Sequence, residues 1–207
     1  MYMPPQFDAR DAAFARTLVR ENGFASLIST DEEGLPFVTH LPLHLEEGEG
    51  GAWTLYGHCA KPNPHWRYLR SRPRALVTFL GPHAYQSPRI YPDRQRVPSW
   101  NYVAVHCTVE ATLIEDDGAK DALLKKLIGD HEPGYAEQWR SLDADFAHKL
   151  LGGIVGFALR VTALQCKVKL NQHRPESHAA LRAGYAEGGE QERALGQWMD
   201  RLGIGGR

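Results

Sequence analysis

Residues 81–106, GPHAYQSPRIYPDRQRVPSWNYVAVH, form the most informative stretch of this 207-residue chain. Its second half, SWNYVAVH, has the near-alternating pattern of a barrel strand, and its first half is a loop punctuated by prolines. Aromatic faces beside cations suit a ligand that is flat at one end and anionic at the other, a shape that flavin mononucleotide (FMN) has. The alternative is an aromatic-rich core strand followed by a decorated loop. The side chains concerned are Phe79, Tyr85, Tyr91, Trp100 and Tyr102, with His83, Arg89, Arg94, Arg96 and His106.

The segments on either side predict an antiparallel fold. About six strands follow one another as in hairpins, helices are inserted at the margins, and no strand–helix–strand alternation occurs. We therefore predict a mainly β, α+β fold built on an antiparallel barrel with peripheral helices. The predicted strands cover residues 24–30, 36–45, 52–58, 75–81, 100–116 and 153–172. The predicted helices cover residues 8–22, part of 62–73, a segment capped by Asp116 or Asp117, part of 135–151, and a last stripe of Leu195, Trp198, Met199 and Leu202.

The composition excludes several classes of protein. With 24 Lys and Arg against 25 Asp and Glu, the net charge is −1, so no global charge excess drives binding to nucleic acid or membranes. No apolar run approaches the roughly 20 residues needed to span a bilayer, and the first residues lack the pattern of a secretory signal. The three cysteines are odd in number and widely spaced, which favours a reducing, cytoplasmic setting over a disulfide framework.

Two short motifs end predicted strands with polar groups. In GHCAKPNPHW, residues 57–66, His58 and Lys61 stand between a strand and a helix, where an anion such as a phosphate is favoured. A solvated surface lysine explains Lys61 equally well. In KVKLNQHR, residues 167–174, Lys169, Asn171 and Gln172 could hydrogen-bond the polar edge of a flavin ring. From the residues alone, a strand that runs out into solvent is the favoured explanation.

Other chemistries find little support in the sequence. The histidines show no closely spaced metal-ligand pattern, so no metal site is predicted. His106 and Cys107 are adjacent on a strand and face opposite sides, which excludes a Cys–His catalytic pair. The chain has no nucleophile elbow, Walker loop or dinucleotide-binding turn, and no catalytic residue is identified. No recognition helix for DNA is evident, and the arginines near Trp66 are best explained as solvated.

Six strings of sequence, taken in order, closely resemble the PaiB family of FMN-binding negative transcriptional regulators. The resemblance runs from Met1 to about Gly184 and implies the FMN-binding split β-barrel fold, a homodimer, and FMN at the subunit interface. The chain departs from the family pattern at Ser99, Asn171 and His173. The strings are MYMPPQF, THLPLHL (39–45), GHCAKPNPHW (57–66), FLGPHAYQSPRIY (79–91), VPSWNYVAVH (97–106) and KLNQHRP (169–175).

The resemblance also implies an FMN site. Gly57, His58 and Lys61 would lie at the phosphate. Trp100, Asn101 and Tyr102 would lie along the flavin. Lys169 and Gln172 would close the site, and Tyr85 and Ser87 are weaker candidates. Arg94 and Arg96 are then loop residues rather than ligand cations. The implied FMN-binding residues are Gly57, His58, Lys61, Tyr85, Ser87, Trp100, Asn101, Tyr102, Lys169 and Gln172.

The expected organisation is an FMN-binding split-barrel domain over residues 1–175 and a C-terminal helical extension, residues 176–207, packed on the same domain. The first hypothesis for function is a negative transcriptional regulator, with DNA as a partner still to be tested. The second is a flavin-dependent oxidoreductase that uses NAD(P)H on a small molecule. The third is an interaction module without a cofactor, and heme is a further ligand that the same barrel can take.

Overall fold

The computed structural model of the chain describes residues 1–93 and 95–205, so Arg94, Gly206 and Arg207 lie outside the described residues. Seven strands of the described part join in one sheet, in the order β2-β1-β5-β6-β7-β4-β3. Strand β1 pairs antiparallel with β2 and β5, and β4 pairs antiparallel with β3 and β7. The strands are β1 (Phe24–Thr30), β2 (Pro36–Pro42), β3 (His44–Glu47), β4 (Trp53–Ala60), β5 (Arg74–Gln86), β6 (Ser99–Ile114) and β7 (Ile154–Lys169).

Seven α-helices accompany this sheet in the described residues. Asp116 caps the longest of them, with its Oδ1 accepting from the Ala119 amide at 2.9 Å, as expected for an aspartate at a helix start. The helices are α1 (Ala12–Glu21), α2 (His65–Ser71), α3 (Asp117–His131), α4 (Ala136–Arg140), α5 (Ala144–Gly152), α6 (His178–Glu187) and α7 (Glu190–Arg201).

The β1–β2 hairpin shows how the sequence sets this architecture. Asp31 Oδ1 accepts hydrogen bonds from the amides of Glu33 and Leu35, and Gly34 takes a positive φ of 87° in the turn. The turn fixes the register, which pairs Thr30 with Pro36 and runs on to Phe24 opposite Pro42.

The chain divides into two compact units, each built from separate stretches of sequence. The first unit holds Met1–Glu21, Leu80–Val105 and the segment from Gln165 onward. In it, α7 buries Trp198 and Met199, and the Trp198 ring lies 6.3 Å from the Phe14 ring of α1. Arg201 of α7 also forms two hydrogen bonds with the Glu21 carboxylate, at 2.6 and 2.8 Å. Helix α7 therefore packs on α1.

The second unit holds Asn22–Phe79 and His106–Leu164. Its core includes the fully buried Leu55 of β4 and Phe157 of β7. Lys120 of α3 is buried and donates to the Leu151 carbonyl at 2.9 Å and to Asp117 at 3.0 Å. This lysine satisfies a carbonyl of the last turn of α5 and so ties α5 to α3.

The predicted antiparallel α+β fold is confirmed, and several predicted boundaries are wrong. β5 continues to Gln86, so His83 and Tyr85 lie on a strand and not in a loop. The hairpin strand predicted over residues 36–45 is divided between β2 and β3. Helix α1 begins at Ala12, after Asp11 Oδ1 accepts from the Ala13 amide, and not at residue 8.

The division into residues 1–175 and 176–207 stays a prediction, and the last two residues of the predicted extension lie outside the described part. Among the helices of residues 1–93 and 95–205, none has both the length and the apolar character that crossing a membrane requires.

Candidate functional site

Two large aromatic side chains stand exposed on neighbouring strands of the first unit. Tyr85 of β5 is 54% exposed and Trp100 of β6 is 47% exposed. Their rings meet edge to face, with centroids 6.2 Å apart. The Trp100 indole N–H also donates to Nδ1 of His83 at 3.3 Å, and the two rings lie 5.9 Å apart. We call His83, Tyr85 and Trp100 the aromatic patch.

Asn101 points away from this patch because successive residues of a strand face opposite sides. It is 1% exposed, and its Nδ2 donates to the Tyr185 hydroxyl of α6 at 2.8 Å. Its Oδ1 is buried without a hydrogen-bond partner in the described residues. Burial raises the pKa of Tyr185 to about 12, against the opposing effect of this hydrogen bond. Asn101 thus has a structural partner, and its place at the flavin stays a prediction.

Tyr102 is half-buried beside a buried lysine. The Lys167 ammonium lies 5.3 Å from the centre of the Tyr102 ring and 5.5 Å from that of Tyr2. It also donates to the Tyr2 carbonyl at 2.9 Å. Cation–π contacts of this kind stabilise a desolvated ammonium group and fix the tyrosine ring that it faces.

Within the described part of the chain, the Lys169 ammonium at the end of β7 makes one hydrogen bond, to the Ser99 hydroxyl at 2.7 Å. Burial lowers the pKa of Lys169; the Tyr102 phenol opposes this shift and the nearby Lys167 charge adds to it. An ammonium group has three N–H donors, so two remain available to a ligand.

Gln172 and Ser87 are engaged with the backbone. Gln172 accepts from the Leu170 amide at 2.8 Å and donates to the Val168 carbonyl at 2.5 Å, which closes the end of β7. Ser87 caps a short 3-10 turn by accepting from the Arg89 amide at 3.2 Å. Both residues shape the backbone in the free protein, and their roles toward FMN stay predictions.

Asn171 organises the turn that follows β7, a role that the sequence reasoning missed. It adopts a φ of 62°, a left-handed conformation that asparagine tolerates better than most residues. Its side chain accepts from the Tyr91 hydroxyl at 3.1 Å and donates to Ser177 at 2.6 Å, while Gln86 donates to Tyr91 at 2.8 Å. An asparagine near the end of a predicted strand and four residues before Pro175 was the available signal.

This hydrogen-bonded network borders a cavity of about 450 Å³ within the first unit. The cavity has the size of a small-molecule site. Of the predicted FMN-binding residues, Lys169 alone belongs to the described wall of this cavity. The wall includes Phe7, Tyr91, Arg96, Ser99, Lys169 and Arg174.

The predicted phosphate-side residues lie in the second unit, at the end of β4. Gly57 is buried, and a Cβ atom there would stand 2.5 Å from Leu43 Cδ2, so a larger residue would require Leu43 to move. Burial lowers the pKa of His58, whose Nδ1 has no hydrogen-bond partner in the described residues. Lys61 is exposed. Its amide donates to the Gly153 carbonyl at 2.8 Å, and its carbonyl accepts from the Trp66 indole N–H at 3.0 Å.

The start of α2 is satisfied by neighbouring side chains. Asn63 Oδ1 accepts from the His65 amide at 3.0 Å, and both residues contact the Thr39 hydroxyl, at 3.1 and 2.7 Å. This anchors the turn that presents Lys61 to solvent. The exposed ammonium of Lys61, rather than the helix end, is therefore the feature suited to a phosphate.

The candidate residues thus form two groups, one in each unit. Their meeting on a single FMN molecule stays a prediction. Among the described residues, no three His, Cys, Asp or Glu side chains come together as a set of metal ligands.

The antiparallel sheet with its peripheral helices has the fold of the split-barrel proteins of the flavin-binding type. Residues 1–163 match the family model described as "Putative FMN-binding domain". The chain is also 36% identical over 178 residues to "Protease synthase and sporulation protein PAI 2" of Bacillus subtilis, covering 86% of this chain and 84% of the relative. The chain belongs to the PaiB-like family of FMN-binding split-barrel proteins.

Two solved structures share the fold at low sequence identity. One is titled as a "putative 5-nitroimidazole antibiotic resistance protein" from Bacteroides thetaiotaomicron, with a TM-score of 0.59 and 17% identity over 78% of this chain and 86% of that one. The other is titled as an "FAD and Heme binding protein" from Mycobacterium smegmatis, with a TM-score of 0.58 and 19% identity over 78% and 73% of the two chains. They support the fold alone.

Proposed function

We propose that this protein binds FMN, with the isoalloxazine ring against the aromatic patch and the phosphate at Lys61. The observation that carries this proposal is the exposure of Tyr85 and Trp100 on adjacent strands. Large aromatic side chains are usually covered, and a pair left open marks a surface that meets a ligand or a partner. A flat ring is the complement of such a surface.

We further propose that two copies of the chain form a dimer that encloses the flavin. Each unit leaves large apolar side chains exposed: Leu80 and Val97 in the first, Phe24 and Val38 in the second. Burial of such side chains against a second copy would contribute favourable free energy, at roughly 25 cal/mol for each Å² of apolar area removed from water. In such a dimer, Lys61 and the aromatic patch that hold one FMN can come from the same subunit or from different subunits.

The regulatory role is proposed from the family. The chain carries no excess of positive charge, and Arg70, in the arginine-rich segment near Trp66, pairs with Glu115 at 2.7 Å. A repressor role therefore requires DNA binding by the dimer or action through another protein. Binding to promoter DNA that prefers one sequence and weakens steeply with salt would support direct repression.

A flavin-dependent oxidoreductase is the second candidate. The observation that favours it is the cavity of about 450 Å³ in the unit that carries the aromatic patch, because it offers room for a second small molecule. NAD(P)H would bleach the bound flavin if the protein is an oxidoreductase of this kind, and would leave it oxidised if FMN serves only regulation.

A pair of ligands tests the phosphate role of Lys61. Lys61→Ala should weaken FMN binding about tenfold or more, since a charged hydrogen bond contributes about 1.5–3 kcal/mol, and should leave riboflavin binding unchanged. Titration calorimetry with both ligands measures the difference. Lys149→Ala, which removes an exposed lysine of α5 in the same unit, is the matched control. Equal losses for FMN and riboflavin would remove Lys61 from this role.

A further inference from the structure

We propose that the cavity of the first unit binds a small organic anion with an apolar body, a carboxylate or a phosphate monoester, as a second ligand beside FMN. The cavity is formed by residues of the first unit alone, and neither the family description nor the names of the relatives assign a ligand to it. Its place beside FMN rests on the proposed function, whereas the anion site itself does not.

The first argument is the charge of the cavity wall. Three cationic residues line the wall: Arg96, Lys169 and Arg174. No Asp or Glu of the described residues lines it. Arg96 is already neutralised from outside the wall, since it pairs with Asp93 at 2.8 Å and Glu176 at 3.5 Å. Lys169 and Arg174 remain without a described acidic partner.

The second argument is the number of unused donors on these two residues. Lys169 donates to one neutral hydroxyl, that of Ser99. The Arg174 side chain has no hydrogen bond or ion pair in the described part of the chain, and its guanidinium offers five donors in a planar fork. A fork of this kind matches the two oxygens of a carboxylate or a phosphate.

The local electrostatics agree with this assignment. Burial lowers the pKa of His173, and the charges of Arg174 and Lys169 lower it further, against the opposing effect of Glu176. Burial also lowers the pKa of Lys169. Lys169 and Arg174 both line the cavity, and neither pairs with a carboxylate of the described residues, so a bound anion would supply the missing opposite charge.

The third argument is the shape and stiffness of the wall. Phe7 is buried and meets the His173 ring edge to face at 5.4 Å, giving the cavity an apolar side. Tyr91 is held on the other side by hydrogen bonds with Gln86 and Asn171. A wall fixed in advance lowers the ordering cost of binding. The complement is a molecule with an anionic head and a small apolar body.

The test is titration calorimetry on the flavin-free full chain, with benzoate, phenyl phosphate and the neutral benzyl alcohol as probes. We expect saturable binding of one anion per chain and none of benzyl alcohol, and the tighter of the two anions identifies the head group. Arg174→Gln and Lys169→Gln should each weaken that anion tenfold or more. Arg10→Gln, an exposed arginine of the same unit outside the cavity, should leave it unchanged.

The same titration on the FMN-loaded protein separates this inference from the proposed function. Anion binding that persists with FMN bound supports a second ligand. Anion binding that FMN abolishes assigns the cavity to the flavin phosphate and overturns the inference while FMN binding stands. If the protein takes up no FMN but binds the anion, the proposed function fails and the anion site stands. Absence of anion binding, equal binding of benzyl alcohol, or full affinity in both cavity variants overturns the inference.

Discussion

His65 lies fully buried at the first turn of α2, where its surroundings favour the neutral imidazole. Its Nδ1 contacts the Thr39 hydroxyl at 2.7 Å, its ring meets Phe37 at 5.2 Å, and its Nε2 has no hydrogen-bond partner in the described residues. Burial lowers its pKa from 6.5 to about 4. Protonation of His65 would therefore place an uncompensated charge in the second unit.

This histidine predicts a loss of stability in mild acid. Between pH 6.5 and about 4, the unfolded chain takes up a proton at His65 that the folded chain does not, so the free energy of unfolding falls as the pH falls. The contribution lost is about 2–3 kcal/mol. Urea unfolding at several pH values in this range, compared with His65→Gln, measures it. The variant should show a flatter pH dependence, and identical slopes would contradict the assignment.

At the scale of single residues, only some contacts could be predicted from the sequence. Alternation along β6 is visible in the sequence, and it would have separated Asn101 from Trp100 and Tyr102, which the family resemblance had grouped together. The partner of Asn101 is Tyr185, 84 positions further along the chain, and no local pattern indicates that contact. The hydrogen bonds of the Gln172 side chain with the backbone of Leu170 and Val168 likewise depend on how the end of β7 folds.

At the scale of the elements, Gly57 shows why one strand position admits no side chain. A Cβ atom there would meet Leu43 at 2.5 Å, Leu41 at 3.2 Å and the Pro42 carbonyl at 3.3 Å. Close packing therefore favours glycine at this position of β4, whatever role the residue has toward a phosphate. Gly129 of α3, also in the second unit, has nothing within 4 Å of the same added atom.

Alanine at these two glycines should change stability in opposite directions. Gly57→Ala overpacks a buried strand and should lower the free energy of unfolding by about 1–3 kcal/mol. Gly129→Ala replaces glycine within an exposed helix and should raise it by roughly 0.5–1 kcal/mol. Urea unfolding at neutral pH measures both changes. A Gly57→Ala variant as stable as the wild type would show that Leu43 moves aside at little cost.

Elements with a clear period were predictable, and those interrupted by proline were not. The stripe of Leu195, Trp198, Met199 and Leu202 predicted α7. The first three side chains are buried, whereas Leu202 follows the end of the helix and is half-buried. In β5, Pro82 follows Gly81 and indicated a loop, yet the strand continues for four residues beyond Pro82. Whether a strand continues past a proline depends on its contacts with neighbouring strands. Local propensity predicts this poorly where a proline indicates a loop and the alternating pattern indicates a strand.

At the scale of the whole molecule, the family could be recognised from the sequence because six strings occur in order over most of the chain, and two of them, GPHAYQSP and VPSWNYVAVH, are unusual. It could not show that the folded chain divides into two units, since each unit is assembled from distant stretches. One such contact in the first unit joins the His83 amide to Gln191 of α7 at 3.1 Å, across 108 positions. Contacts over such separations follow from the fold and not from any local pattern.

The central claim is that the protein is a flavoprotein that holds FMN, and the most direct measurement is its visible absorption spectrum after incubation with FMN and desalting. The account predicts a retained flavin spectrum with about one FMN per chain and a raised melting temperature, because a ligand that binds the folded state stabilises it. Trp100→Ala should retain less FMN than the wild type. Colourless protein whose melting temperature FMN does not change would contradict the account.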